Sequence, residues 1–350
     1  MKIRKLNIIN FGVFTDFTID FTFENAAQNL IVIAGVNGSG KTTIFEYIDN
    51  FFKRNDKFTH GSILVQDKDK ILNYRKDVSE PVYQHEDQLP GNQLAEKIFY
   101  FKANEERISN ADEIIVEYIE KLIFEDQLSP SDAYNATNNI LNDIFSGFDL
   151  QLSFHGLDRK KQVSFINESG KVLKTSMLSS GEKELLTKVF SLYLSNAKDC
   201  IILIDEPENS LHPLWQNRIV PVYQKFADNN NNQIILATHS PHIVGSVKNE
   251  QIRVLIREKG KIDVISSFSG SYGWPIEKIL LEIFRTNELR TVEIEEKINQ
   301  LNRLVTNNEY NSDEAKMLLK YLEDTLGYDD NDLVVIRLEI AKRIRRNDKN

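Results

Sequence analysis

Residues Gly35 to Thr42 read GVNGSGKT and meet the spacing G-x-x-x-x-G-K-[ST] in full. Glycines at 35, 38 and 40 let the backbone turn its N–H groups inward, where they can cradle an anionic phosphate at a helix N-terminus. In such a loop Lys41 reaches the β and γ oxygens of a nucleotide, and the Thr42 hydroxyl ligates Mg²⁺. Far downstream, Asp205 and Glu206 stand side by side at the end of an apolar run. Asp205 is suited to hold Mg²⁺ through its water shell and Glu206 to polarise an attacking water. A third run ends in Thr238-His239-Ser240-Pro241-His242, which places His239 where it can orient a γ-phosphate or a water.

Each of these has a plainer reading when taken alone: a glycine turn with an incidental lysine, a solvated acidic turn, a structural histidine. The flanking elements decide against it. Asn29 to Ala34 is apolar and rich in β-branched residues, which predicts a buried strand, and Thr43 to Ile48 has helical spacing, so the glycine loop joins strand to helix. Cys200 to Ile204 and Gln233 to Ala237 are further apolar strands that feed straight into the acidic pair and into His239. A parallel α/β sheet would bring these strand ends to one rim. A fourth motif, Leu178-Ser-Ser-Gly-Glu-Lys183, opens a helix running to Leu194; Ser179 or Ser180 can cap it, and Gly181 permits close backbone approach to an anion. A metal pair of His239 and His242 lacks a third ligand nearby in sequence.

The rest of the chain supports these elements. Residues 2 to 9 and 17 to 23 predict two strands joined near a turn at Gly12, and residues 61 to 66 and 97 to 101 predict two more; the polar stretch from 67 to 91 reads as surface loop. Two helical patterns, broken at Ser129-Pro130, and a hairpin over residues 150 to 166 form an insertion at about 103–175. Strands at 252 to 256 and 262 to 265 close the head, 1–270. Residues 271–350 are amphipathic helix throughout, with Gly327 capping one segment and Lys342 to Arg346 forming a basic end.

With 41% hydrophobic and 27% charged residues the 350-residue chain can bury one large core or two ordinary ones. Its formal charge of −9 means that any nucleic-acid contact must come from a local basic patch. No run reaches the length of a membrane span, and the basic N-terminus lacks an apolar signal region, so a cytoplasmic location is expected. The single cysteine, Cys200, leaves no internal disulfide and fills core.

Together the four motifs resemble the ABC-type ATPase heads of the RecF, SMC and OLD class, over residues 1 to about 245. GVNGSGKT is similar to the Walker A loop, LSSGEK to the ABC signature, CIILIDEP to Walker B with Glu206 as catalytic acid, and His239 to the switch-loop histidine. The segment Asn10 to Phe14 also resembles that class. The resemblance implies a P-loop head, a mixed sheet flanked by helices, with ATP and Mg²⁺ as cofactors. It assigns nucleotide binding to Gly35, Val36, Asn37, Gly38, Ser39, Gly40, Lys41, Thr42, Thr43, Ser179, Ser180, Gly181 and Glu182, metal binding to Thr42 and Asp205, and catalysis to Glu206 and His239. In such families the signature of one subunit covers the ATP held by another. It therefore implies a homodimer or higher oligomer, with Ser179 and Gly181 acting in trans.

The chain departs from that pattern in places. A transporter ATPase would more often carry LSGGQ and an aspartate where His212 stands, and the glutamine of a Q-loop could be Gln66 or Gln93. No long heptad run is present, which excludes an extended coiled coil, and the tail lacks the clustered acids of a TOPRIM nuclease. GWPIEKIL and the helical tail resemble small defence ATPases such as the Septu-type subunit, which works with a separate HNH nuclease, or a retron ATPase. The expectation is an ATP-dependent switch acting on an effector such as a nuclease, with DNA or RNA as a further contact and no membrane. The alternatives are a nucleotide-stabilised scaffold with negligible turnover and a transporter ATPase subunit.

Overall fold

The computed structural model describes residues 1–53, 60–76, 94–103, 111–266, 270–286 and 289–347. They fall into two compact units, Met1–Phe284 and Arg285–Asn350. In the larger unit, β1 (Lys2–Phe11) and β2 (Phe14–Asp20) form an antiparallel hairpin about Gly12, followed by a short pair, β3 (Thr22–Phe23) and β4 (Ala26–Ala27). Next come β5 (Leu30–Ala34), α1 (Lys41–Lys53), β6 (His60–Asp67), β7 (Lys70–Lys76) and β8 (Ile98–Phe101). The insertion supplies α2 (Ala111–Phe124), α3 (Pro130–Phe148) and a small sheet of β9 (Leu152–Leu157), β10 (Val163–Asn167) and β11 (Val172–Lys174). The unit closes with α4 (Ser180–Leu194), β12 (Ile201–Asp205), α5 (Pro213–Asn229), β13 (Gln233–Thr238), α6 (Pro241–Gly245), β14 (Ile252–Glu258), β15 (Lys261–Ile265) and α7 (Ile276–Glu282).

The central sheet has the order β15-β14-β5-β13-β12-β8, parallel except for the β14–β15 hairpin. Both of its faces are covered, which is why its strands read as unbroken apolar runs and not as alternations. Strand periodicity assigns the two faces. Leu30, Val32, Ile202, Ile204, Ile234 and Leu236 pack with α4, α5 and the insertion. Ile31, Ile33, Ile201, Leu203, Ile235 and Ala237 pack with α1 and the antiparallel sheet β2-β1-β6-β7. Asp205 continues the odd-numbered series, so it points toward α1, while Thr238 continues the even series and points the other way. This parity places the metal-binding candidate on the side of the glycine loop.

The antiparallel sheet is tied to the central one by Arg253 of β14, which is 2% exposed. Its guanidinium donates to the carbonyls of Asp20, of Thr22 (2.8 Å), of Glu250 (2.8 Å) and of Ile252 (2.8 Å). Truncation would leave several of these oxygens without donors in a dry environment. We expect Arg253→Ala to cost about 3 kcal/mol and to lower the melting temperature by several degrees; a melting curve that overlays the wild type would remove this role.

Two differences from the sequence expectation arise here. Residues 70–76, expected in a surface loop, form β7, an edge strand paired with β6. Tyr74 is its one fully buried residue, so it carries almost no apolar alternation. The division between units falls after Phe284 and not after residue 270, because Ile279, Ile283 and Phe284 belong to the core beneath α4 and α5 and Trp274 packs against it.

The smaller unit holds α8 (Val292–Thr306), α9 (Asp313–Leu326) and α10 (Asn331–Asn347) around a core that includes Leu301, Leu322 and Leu333. Ser312 caps α9, and Gly327 ends it with φ +92, a conformation that favours glycine. Arg290 pairs with Asp330 and Asp332, both at 2.8 Å, beside the start of α10. Among the described residues no helix is long and apolar enough to cross a membrane.

Candidate active site

The loop from Gly35 to Gly40 leaves the carboxyl end of β5 and enters α1 at Lys41. Gly38 and Gly40 have φ of +77 and +95, and a Cβ on Gly40 would lie 2.6 Å from the Phe14 ring. The chain can therefore turn this tightly against β2 only with glycine at position 40. A cavity of about 320 Å³ opens here, lined by Val13, Asn37, Gly38, Gly40, Lys41, Thr42, Thr43 and Glu206. Lys41 is 6% exposed, and its Nζ donates to the carbonyls of Gly35 (2.8 Å) and Val36 (3.1 Å). Burial lowers its pKa, opposed by the carboxylates of Glu206, Glu208 and Asp205.

Asp205 ends β12 next to this loop, and the Thr42 hydroxyl donates to its Oδ2 at 2.8 Å. Its Oδ1 is buried without a hydrogen-bond partner, and burial raises the carboxyl pKa, against the Thr42 bond that lowers it. A buried carboxylate oxygen without a donor, beside a hydroxyl at the mouth of a phosphate loop, is the ligand set a Mg²⁺ ion would complete. Ser39 Oγ is also buried and unpartnered within the loop. The residues present thus fit both the metal and a polyphosphate. Tyr100 of β8 lies close by; burial, and after it the Asp205 charge, holds its phenol far above the usual range.

Glu206 follows with φ +48, a left-handed conformation for a residue with a side chain. Its N–H donates to the Ala237 carbonyl (2.8 Å), and its Oε2 accepts from Asn209 Nδ2 (2.9 Å). His239, just past β13, brings Nδ1 to 3.6 Å from Glu206 Oε1 and 3.3 Å from Glu208 Oε1. Lys41, Thr42, Asp205, Glu206 and His239 therefore meet at one rim of the sheet.

The residues from Ser179 to Glu182 do not line the cavity of the glycine loop. Ser179 caps α4 through a reciprocal box: its Oγ accepts the Glu182 N–H (3.2 Å), and its own N–H donates to Glu182 Oε2 (2.6 Å). Ser179 and Ser180 are exposed, and a Cβ on Gly181 would lie 3.1 Å from the Trp215 ring and 3.3 Å from the Ser210 carbonyl. His212 caps α5, its Nδ1 accepting from the Leu214 N–H (3.3 Å), which accounts for a histidine at that position. Of the two glutamines considered for a Q-loop, Gln66 sits in β6, where its side chain accepts from Arg4 (2.9 Å) and donates to the Lys68 carbonyl (3.3 Å); Gln93 lies outside the described residues.

Sequence reasoning passed over Glu208, Asn209 and Lys188. Lys188 of α4 donates to the carbonyls of Pro207 (3.1 Å) and Asn209 (2.8 Å) and so pins the turn that carries Glu206. The run Asp205-Glu206-Pro207-Glu208-Asn209 did hold a signal, since its third acid stands two residues beyond the catalytic candidate.

The fold is that of a P-loop ATPase head. Residues 1–149 match the family model "AAA ATPase domain", and residues 101–245 match "AAA domain, putative AbiEii toxin, Type IV TA system". The chain is similar to the Retron Ec83 probable ATPase of Escherichia coli, 29% identical over 195 residues, covering 52% of this chain and 35% of that protein. It also resembles the Septu protein PtuA of Bacillus thuringiensis, 25% identical over 349 residues, covering 83% of this chain and 86% of that protein. The match thus spans only about a third of the retron protein but most of PtuA. Among solved structures, an SMC head domain from Thermotoga maritima aligns with TM-score 0.50 at 15% identity, covering 77% of this chain and 100% of that one. An SmcHead bound to the C-winged helix domain of ScpA aligns at 0.52 and 15%, covering 76% and 97%. At that identity the structural likeness speaks for the fold.

Proposed function

We propose that this chain is an ATP-hydrolysing switch whose heads pair around Mg²⁺ and ATP, and whose opening and closing controls a separate effector acting on nucleic acid in anti-phage defence. The observation that carries this reading is the convergence of Lys41, Thr42, Asp205, Glu206 and His239 at one rim, with the Thr42 hydroxyl 2.8 Å from Asp205 Oδ2. Thr42 and Asp205 would hold Mg²⁺, which when bound neutralises phosphate charge. Backbone N–H groups of the glycine loop and Lys41 would bind the β and γ phosphates, Glu206 would accept a proton from the attacking water, and His239 would orient the γ-phosphate. Pairing of heads is favoured by the capped start of α4, whose Ser179 and Ser180 are exposed and do not line the cavity of their own phosphate loop. A defence role is favoured by the likeness to the retron and Septu proteins, the latter over most of both chains.

Phosphate release from ATP tests this, with Mg²⁺ and with EDTA, in the presence and absence of DNA and RNA. Mg²⁺-dependent release is expected. No release under any condition, with nucleotide bound, would turn the reading into that of a nucleotide-stabilised scaffold.

A further inference from the structure

Glu208 is 5% exposed, and nothing in the proposed chemistry employs it. Its Oε1 accepts from the Thr238 hydroxyl (2.6 Å) and the His239 backbone N–H (2.8 Å), and it lies 3.3 Å from His239 Nδ1. Its Oε2 is buried without a hydrogen-bond partner. A buried carboxylate with three contacts to one dipeptide is costly unless the arrangement is held for a reason. The same imidazole nitrogen is 3.6 Å from Glu206 Oε1, so His239 stands between two carboxylates and nearer to Glu208.

We propose that Glu208 is a positioning residue for His239: it draws Nδ1 to its own side and thereby limits the hold of the imidazole on Glu206. Two consequences follow from imidazole chemistry. With Nδ1 engaged, Nε2 is the nitrogen left to face phosphate or water. Glu206, with Nδ1 no nearer than 3.6 Å, keeps its carboxylate for the water. Without Glu208, Nδ1 would turn to Glu206 and occupy the group that must accept a proton. Lys188 donates to the carbonyls on either side of Glu208, which helps to hold this turn beside β13. This inference rests on the hydrolytic reading above.

The test uses the full chain. Glu208→Ala should lower kcat roughly 10²-fold while leaving KM for ATP within about threefold, and Glu208→Gln, which keeps an acceptor, should restore most of the loss. In the His239→Ala background, Glu208→Ala should add almost nothing, because its partner is already gone. Multiplicative losses in the double variant, wild-type kcat in Glu208→Ala, or a parallel loss of ATP affinity would each overturn the proposal. Should Glu208→Ala fail to fold, the ¹⁵N spectrum of wild-type His239 decides: a proton on Nδ1 is expected, and a neutral ring protonated on Nε2 would overturn it. If the wild-type chain releases no phosphate, the hydrolytic reading itself fails, an outcome separate from all of these.

Discussion

Lys41→Ala should abolish ATP binding, with Kd raised roughly 10²-fold or more. The lysine is buried at the start of α1, its Nζ held by the carbonyls of Gly35 and Val36, beside three carboxylates. Those two bonds hold the cation at the edge of the loop, where it can exchange a carbonyl for a phosphate oxygen. Without it, a triphosphate entering beside Glu206 would lose the cation that also offsets Asp205 and Glu208, and like charges in a dry cleft repel strongly. Titration with a fluorescent ATP analogue checks this. Binding within threefold of the wild type would remove Lys41 from the nucleotide site, and with it the assignment of the loop.

Glu206→Gln should do the opposite: ATP binding intact, turnover lowered at least 10²-fold, and paired heads accumulating in ATP. The amide keeps the shape and can still meet Asn209, but it cannot accept a proton from water. Light scattering after gel filtration should show twice the monomer mass only with Mg²⁺ and ATP. An unchanged hydrolysis rate would take Glu206 out of its role, and a monomer at every nucleotide state would remove the pairing of heads.

Much of this site could be read from the chain because parallel strands buried on both faces leave long apolar runs, and whatever follows such a run stands at the sheet's rim. That logic placed Asp205 and His239, and the alternation of the strands adds which face each one takes. Glu208 escaped it because its partners, Thr238 and His239, are some thirty residues away, and an acid two places beyond another looks like a solvated turn. The role of His212 was equally hidden, since an aspartate would be expected there by resemblance, whereas the imidazole caps α5. Edge strand β7 is hard to read because only Tyr74 is fully buried, with Leu72 partly covered beside it. The division between the units falls later than composition suggests because Ile279 and Ile283 look like the first turns of a helical tail, and only their packing assigns them to the head.

The backbone at Glu206, with its φ of +48, has a consequence for heat tolerance. A side chain in that region costs about 1–3 kcal/mol, a burden that glycine does not share apart from its greater freedom in the denatured chain. Glu206→Gly should therefore melt a few degrees above Glu206→Ala, both being inactive, as differential scanning calorimetry can read. Selection for durability alone would drive position 206 toward glycine, so a carboxylate kept there would mark a protein that trades resilience for turnover.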